Sequence, residues 1–514
     1  AVTVSMRVMS AGDGYKYLLR TVAAGDGARS LSTPLTRYYS AEGTPPGRWM
    51  GGGLESLESS IREGDTVTEA HLQLLIGMER HPISGEPLGR AYPQYSKDGQ
   101  ASGAHQRAVA GYDFTFSIPK SASVLWAVAD ADTQTLIARA HHRAVAHVVA
   151  YMEREVAMTR TGATAGDGAV AQVGVHGLIA TAFDHFDSRA GDPHLHTHVV
   201  VSNKVQTTLD GKWRSLDGRP MHAAVVALSE LHEAIFSDEL TRSLGIDWEA
   251  RDLGRDRNTT WAIVGVPEQL VDEFSTRAHA IDDETDRLIA AYVASHGERP
   301  AAATIMKLRA QATLSTRPEK QLHSLAELTA GWRNRATSAL GREATSWAHG
   351  LVADSAGPTL MRAMDLSPQQ LATLGNSVMV TVADKRTTWR RWNLVAEAAR
   401  QTMPMRFATA SDREAVVELV ADAAESASLR LSPPEIAATP LEFQRADGSS
   451  VFRAPRSALF TAGLLLEAEG RLLDRSRNTL APRMPTVQTR WAARDRIALG
   501  SDQREALDRI VSSG

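Results

Sequence analysis

The chain has 514 residues, with 56 Lys and Arg against 60 Asp and Glu, a net charge of −4 at pH 7 and 43% hydrophobic residues. That length suits about two to four soluble domains. The complete absence of cysteine excludes disulfides, thiolate metal sites, iron–sulfur clusters and a cysteine nucleophile. Metal binding therefore falls to His, Asp or Glu, covalent chemistry to a hydroxyl, a lysine or a carboxylate, and nucleic-acid binding to local basic patches rather than to net charge.

In chain order, residues 3–9 alternate weakly as a strand, a turn follows at Gly12 and Gly14, and residues 15–22 read as helix. Residues 43–53, rich in Gly and Pro, are expected to be loop. YDFTFS, residues 112–117, is a strand closed by Pro119, and residues 121–157 read as one long Ala- and Val-rich helix. Residues 171–183 and 194–204 are strand-like, and the turn residues of DSRAGDP between them predict an antiparallel hairpin. A helical pattern returns at 222–245 and dominates beyond about residue 280. The composition shifts near 337–360, and the last 150 residues read as a separate, mainly helical unit with one short hairpin at 441–452 turning at Asp447-Gly448. No apolar run reaches the roughly 18 residues of a membrane span, and AVTVSMRVMS has no basic-then-apolar signal pattern. The chain reads as cytoplasmic.

Four of the 17 histidines fall in DHFDSRAGDPHLHTH. Strand side chains alternate faces, so His196 and His198 point the same way, and His185 faces them from the preceding strand. Three imidazoles with an open position form the pattern of a catalytic metal. His194 shares their parity, but it follows Pro193 at the mouth of the turn and is expected to splay outward. Imidazoles suit Zn, Mn, Co or Ni better than Ca, and the spacing does not choose between these and Mg.

FDHFDSRAGDPHLHTHVVVSNKV resembles the metal motif of MobF-class conjugative relaxases of the HUH endonuclease superfamily. GYDFTFSIPKSASVLWA resembles that family's second signature strand, and DGKWRSLDGRP the stretch after the metal motif. The resemblance covers residues 1 to about 335. It implies an α+β fold with a central antiparallel sheet, and a metal-dependent transesterase that nicks single-stranded DNA at an origin of transfer. A tyrosine attacks the scissile phosphodiester and keeps the 5′ phosphate. The resemblance places the initiating nucleophile at Tyr17 or, next, Tyr15, because Lys16 and Leu18 flank Tyr17 where the family usually shows adjacent tyrosines. It places a second pair at Tyr38 and Tyr39, which read equally well as core aromatics. Asp113 is the matching carboxylate, either as the base or as the partner of a metal-bound His. Mg or Mn is the expected ion, with Zn, Co or Ni as alternatives. The implied partners are origin DNA with its nic site and adjacent hairpin, the relaxosome and the coupling proteins of type IV secretion. The chain is expected to act as a monomer.

Local basic excess marks two stretches as DNA contacts: Lys204, Lys212 and Arg214 in 204–219, and Arg317 and Lys320 in 306–335. Lys120 and Ser121 follow the signature strand where family members approach DNA. ADKRTTWRRWN interleaves cations with Trp389 and Trp392, which suits either base stacking or a core helix face. A helical lid after about residue 220 is expected to close over the DNA. LGSDQREALDRIVSSG, at 499–514, resembles the opening of a superfamily-1 helicase domain with Gln503 as the adenine contact, yet no G-x-x-x-x-G-K-[ST] occurs. Residues 1–335 are thus read as the relaxase domain, and 336–514 as a mainly helical accessory region leading into a truncated helicase. The alternatives are a rolling-circle or transposition nickase of the same superfamily, a His-ligated metal hydrolase using water, and a non-catalytic DNA-binding module.

Overall fold

The computed structural model describes residues 3–19, 45–90, 108–162, 170–252, 259–318, 323–435, 438–477 and 500–513. In chain order the strands used below are β1 (Val4–Ser10), β2 (Arg48–Met50), β3 (Val109–Ser117), β4 (Met158–Gly162), β5 (Val170–Gly174), β6 (Ala180–Asp187), β7 (Pro193–Ser202), β8 (Lys204–Gln206) and β9 (Trp213–Ser215). The expected α+β architecture is present. Five strands form one sheet in the order β1-β3-β7-β6-β2, every pairing antiparallel. Strands β4 with β5 and β8 with β9 make two separate ribbons.

Register and alternation assign the faces. Arg7 pairs with Asp113, Thr115 with His198, Ser117 with His196, and His185 with His196, so all of these share one face. A small apolar cluster covers the neighbouring part of that face, including Met9, Leu18, Trp49, Leu72, Phe183 and Val200. It draws on α1 (Lys16–Leu19) and α2 (Glu69–Leu72). The opposite face carries Val4, Tyr112, Phe114, Phe116, Val199 and Val201 into the main core. That core is closed by α3 (Lys120–Val128), α4 (Ala131–Glu155) and α5 (Gly218–Leu244). Thr3 ties the start of the sheet to α5: its N–H and hydroxyl donate to the side chain and carbonyl of Ser229 at 2.9 and 2.8 Å.

Beyond α5 the chain is helical: α6 (Glu268–Glu273), α7 (Thr276–His296), α8 (Ala302–Ser315), α9 (Leu325–Leu340), α10 (Ala344–Ala353), α11 (Pro368–Lys385), α12 (Arg391–Gln401) and α13 (Ala410–Ala427). The expected boundary near residue 335 falls inside α9. Helices α12 and α13 pack on α5, and their apolar residues belong to the same core as the sheet. Asp238, fully buried on α5, fixes this packing. It accepts a fork from Arg413 at 2.7 and 2.9 Å and a third bond from Arg406 at 3.0 Å. Fully desolvated charges need such satisfaction on every atom.

Several expectations are corrected. The long helix breaks at Ala129, because the Asp130 carboxylate caps α4 through the Thr133 N–H (2.9 Å). The strand expected over 171–183 is two strands. They are separated at Gly177, which has φ +79° and sits where a Cβ would meet the Gly53 backbone at 2.6 Å. The Gly- and Pro-rich loop contains β2, admitted to the sheet because Gly47 leaves room for the Phe183 ring. Residues 218–244 are not a lid but a core helix behind the sheet. Trp389 and Trp392 are buried, so the core reading holds. The hairpin at 441–452 reduces to one bridge, Gln444 to Ser450, closed by a turn over 445–448.

Glu233 on α5 makes a stability prediction. Burial, with Glu230 beside it, pushes its carboxyl up from 4.5 to about 7. The folded state therefore holds this proton longer than the unfolded state, and stability falls as pH rises from about 4.5 to about 7. Glu233→Gln is expected to flatten that stretch of a melting-temperature profile, and an unchanged slope would refute the assignment.

Candidate metal centre and its tyrosine

The β6–β7 hairpin brings His185, His196 and His198 together, as the spacing predicts. Their ligand atoms all lie within 4.8 Å of one another, and the ring centroids are 4.8 to 5.3 Å apart. Hydrogen bonds set two of the tautomers. His196 Nδ1 lies 2.7 Å from the His194 carbonyl, which can only accept, so Nδ1 carries the proton. His198 Nδ1 lies 2.9 Å from Asp113 Oδ1 and likewise donates. Both Nε2 lone pairs are thereby left for an ion, and a carboxylate behind a ligating imidazole raises its basicity. Burial, with His194, His185 and His198 nearby, holds the pKa of His196 well below its usual value, so it stays neutral as a ligand must. The donor set, three imidazoles on one sheet face, fits a divalent transition ion.

His194 is not a member of the trio. Its ring lies 4.5 Å from that of His196, half-buried rather than splayed outward, and faces the Ser117 hydroxyl at 3.4 Å. Burial and the Lys120 charge push its pKa down to about 4.

Tyr17 reaches this centre and Tyr15 does not. Tyr17, on α1, donates its hydroxyl to Asp113 Oδ2, and its ring meets the edge of His198 at 5.9 Å. Asp113 is 4% exposed, and its carboxylate accepts from the tyrosine and the histidine at once. Burial first, then the Asp113 charge and hydrogen bond, raise the Tyr17 pKa far above its usual value, while Arg7 opposes the rise. The phenol is therefore protonated at neutral pH, with a carboxylate already in place to take the proton. Tyr15 is 2% exposed and part of the small apolar cluster. Tyr38, Tyr39 and Lys320 lie outside the described residues.

The other expected contacts divide. Ser121 is buried, its hydroxyl accepting the Ile263 N–H at 3.0 Å. Lys204 is buried in an ion pair with Glu79 at 3.2 Å and also donates to the Arg90 carbonyl. Lys120 donates to the Pro193 carbonyl at 2.8 Å, and burial pushes its pKa down to about 8. Neither lysine stands free, because the fold gives each a partner that the sequence does not show. Lys212 and Arg317 are exposed. Arg214 forks onto Asp210 at 2.6 and 2.8 Å and lines a cleft of about 950 Å³ together with Arg160, Arg219, Trp213, Tyr112 and His222.

Sequence reasoning missed Arg7, which faces the centre only because β1 pairs with β3 in this register. It also missed the buried pair behind the histidines. The Thr197 hydroxyl donates to Asp184 Oδ1 at 2.5 Å, and Asp184 Oδ2 accepts from Arg48 at 2.7 Å and pairs with His142 at 2.9 Å. Among the described residues, no helix is long and apolar enough to cross a membrane.

The sequence model of the TrwC relaxase family matches residues 11–339. The multifunctional conjugation protein TraI of Escherichia coli is 32% identical over 266 residues, 51% of this chain and 13% of that protein. Its counterpart from strain K12 is 30% identical over 269 residues, with the same coverage. The chain thus spans about 13% of the length of these curated relatives. Among solved structures, a copper-bound conjugative relaxase TrwC in complex with oriT DNA is 26% identical, with a TM-score of 0.45 over 65% of this chain and 98% of that one. A TrwC complex with a 27-mer DNA comprising the recognition hairpin and the cleavage site is 24% identical, with the same TM-score and coverage. With the family model matching well over half of its residues, the chain belongs to the TrwC relaxase family.

Proposed function

We propose that this chain is a metal-dependent relaxase that nicks one DNA strand at an origin of transfer. The observation that carries the reading is the Tyr17–Asp113–His198 chain, which joins a phenol to a three-histidine centre through one buried carboxylate. The Tyr17 hydroxyl attacks the scissile phosphorus as its proton passes to Asp113, the bond from phosphorus to the 3′ oxygen breaks, the 5′ phosphate stays on the tyrosine as an ester, and the 3′ oxygen leaves as a hydroxyl after taking a proton from solvent. Asp113 also orients His198. His185, His196 and His198 would hold a divalent ion, with Mg or Mn preferred over Zn, Co and Ni, and that ion would supply positive charge beside the phosphate. Arg7 extends from the strand edge on the same face and adds a second cation for the DNA backbone. Tyr38 and Tyr39 are kept as the pair for a later strand transfer.

The cleft lined by Arg160, Arg214, Arg219 and Trp213 is the second DNA-contacting surface, with Lys212, Arg317 and Lys320 as further backbone contacts. Arg160→Ala with Arg219→Ala is expected to weaken binding of an origin oligonucleotide about tenfold and to reduce the salt slope by about two. Unchanged affinity and slope would remove the cleft from the DNA path. Residues 336–514 are read as the accessory region leading into a helicase, and the relaxosome and type IV coupling proteins as partners of a monomeric, cytoplasmic enzyme.

The test is incubation of the full chain and Mn²⁺ or Mg²⁺ with single-stranded origin oligonucleotides labelled at either end. The expected result is a denaturant-resistant adduct on the 5′ side of one fragment, with an equal amount of free 3′-hydroxyl fragment. Cleavage that releases both fragments free assigns water, not tyrosine, as the nucleophile.

A further inference from the structure

The turn at the tip of the β6–β7 hairpin is held from outside by helices that come far later in the chain. Asp192 is 1% exposed. Its carboxylate accepts the Thr276 N–H at 3.0 Å, the Thr276 hydroxyl at 3.2 Å and Arg335 at 3.1 Å. The Gly191 carbonyl accepts the Trp332 indole N–H at 2.8 Å. The Pro193 carbonyl accepts the Lys120 ammonium at 2.8 Å. Inside the turn, the Ser188 N–H donates to the Asp192 carbonyl at 2.8 Å.

Thr276 opens α7, and the residue before it, Ser275, makes no side-chain cap. Its hydroxyl donates instead to the Val271 carbonyl at 2.7 Å. A helix start leaves backbone donors without partners, and here a carboxylate 84 residues upstream satisfies one. Arg335 is held in turn by Glu273, at 2.9 Å to its carboxylate and 2.6 Å to its carbonyl. The turn, α6, α7 and α9 are therefore one hydrogen-bonded unit. His185 precedes this turn and His196 follows it, and they are cross-strand partners at the point where the ladder becomes irregular, between His185 and Asp187. Such an irregularity disrupts the ladder locally, and the bonds to Asp192, Gly191 and Pro193 hold the turn from outside the sheet.

We propose that Asp192 is a positioning residue for the three-histidine centre, and that Arg335, Thr276, Trp332 and Lys120 act through it and its neighbours to fix how His185 meets His196. The helices beyond residue 268 thus set the geometry of the metal ligands without touching the ion. This rests on the trio holding a divalent ion.

Co²⁺ titration of the full chain, read by d–d absorption, tests it alongside the melting temperature of the metal-free protein. Asp192→Ala is expected to bind Co²⁺ about tenfold more weakly and to shift the band. Trp332→Phe, which keeps an aromatic ring but removes the indole N–H and its bond to the turn, shifts the band in the same direction, and the melting temperature registers separately the volume lost from the core. Arg335→Lys restores part of what Arg335→Gln loses. A folded Asp192→Ala with a lowered melting temperature but wild-type affinity and spectrum overturns the proposal. If Asp192→Ala does not fold, an unchanged spectrum in both Trp332→Phe and Arg335→Gln does so. Wild-type protein with no saturable Co²⁺ band overturns the metal reading instead.

Discussion

Tyr17→Phe is expected to abolish the covalent protein–DNA adduct, with a loss of nicking of roughly 10³-fold or more and little change in affinity for the oligonucleotide. The substitution removes one oxygen and keeps the ring, so the edge contact with His198 and the packing of α1 persist. The lost atom is the one held by Asp113. Tyr15→Phe is expected to leave the adduct intact, since the Tyr15 ring is locked in the small apolar cluster and makes no contact with the histidines. Gel analysis under denaturing conditions and peptide mapping of the adducted residue check both. An adduct that survives in Tyr17→Phe and maps to Tyr15 would overturn the assignment and would require α1 to turn by about half a revolution on binding DNA.

How much of this was legible in the sequence follows from range. The histidine trio was readable because it lies within fifteen residues and depends only on strand alternation and one turn. The choice between Tyr17 and Tyr15 was not, because it depends on how a four-residue helix settles against a strand nearly a hundred residues away. Asp113 was found by resemblance, yet its double role needed the register of β3 against both β1 and β7. The basic residues failed in an informative way. Lys204 and Arg335 stand in locally basic sequence and Lys120 follows the signature strand, but Glu79, Asp192 and backbone carbonyls claim them in the fold. Local charge excess does not by itself predict a DNA surface, because a distant partner can claim the charge in the fold.

Removal of one ligand separates the metal centre from the remaining histidines. His196→Ala is expected to lower divalent-ion affinity by roughly 10²-fold and nicking by roughly 10²- to 10³-fold, whereas His194→Ala costs no more than a few-fold in either. The two residues share a strand face and their rings lie 4.5 Å apart, so burial and local packing change in similar ways. The difference is one of lone pairs. His196 is fixed as the Nδ1–H tautomer by the backbone carbonyl of His194, a bond that survives truncation of the His194 side chain. His194 itself has only the Ser117 hydroxyl before it and no place among the three converging ligand atoms. Chelation followed by back-titration should restore wild type and His194→Ala at similar ion concentrations, and His196→Ala only at far higher ones. Equal losses in the two variants would make His194 a fourth ligand. Nicking that persists in His196→Ala after exhaustive chelation would mean that the trio does not carry the reaction, leaving Arg7 as the cation that meets the charge on the phosphate.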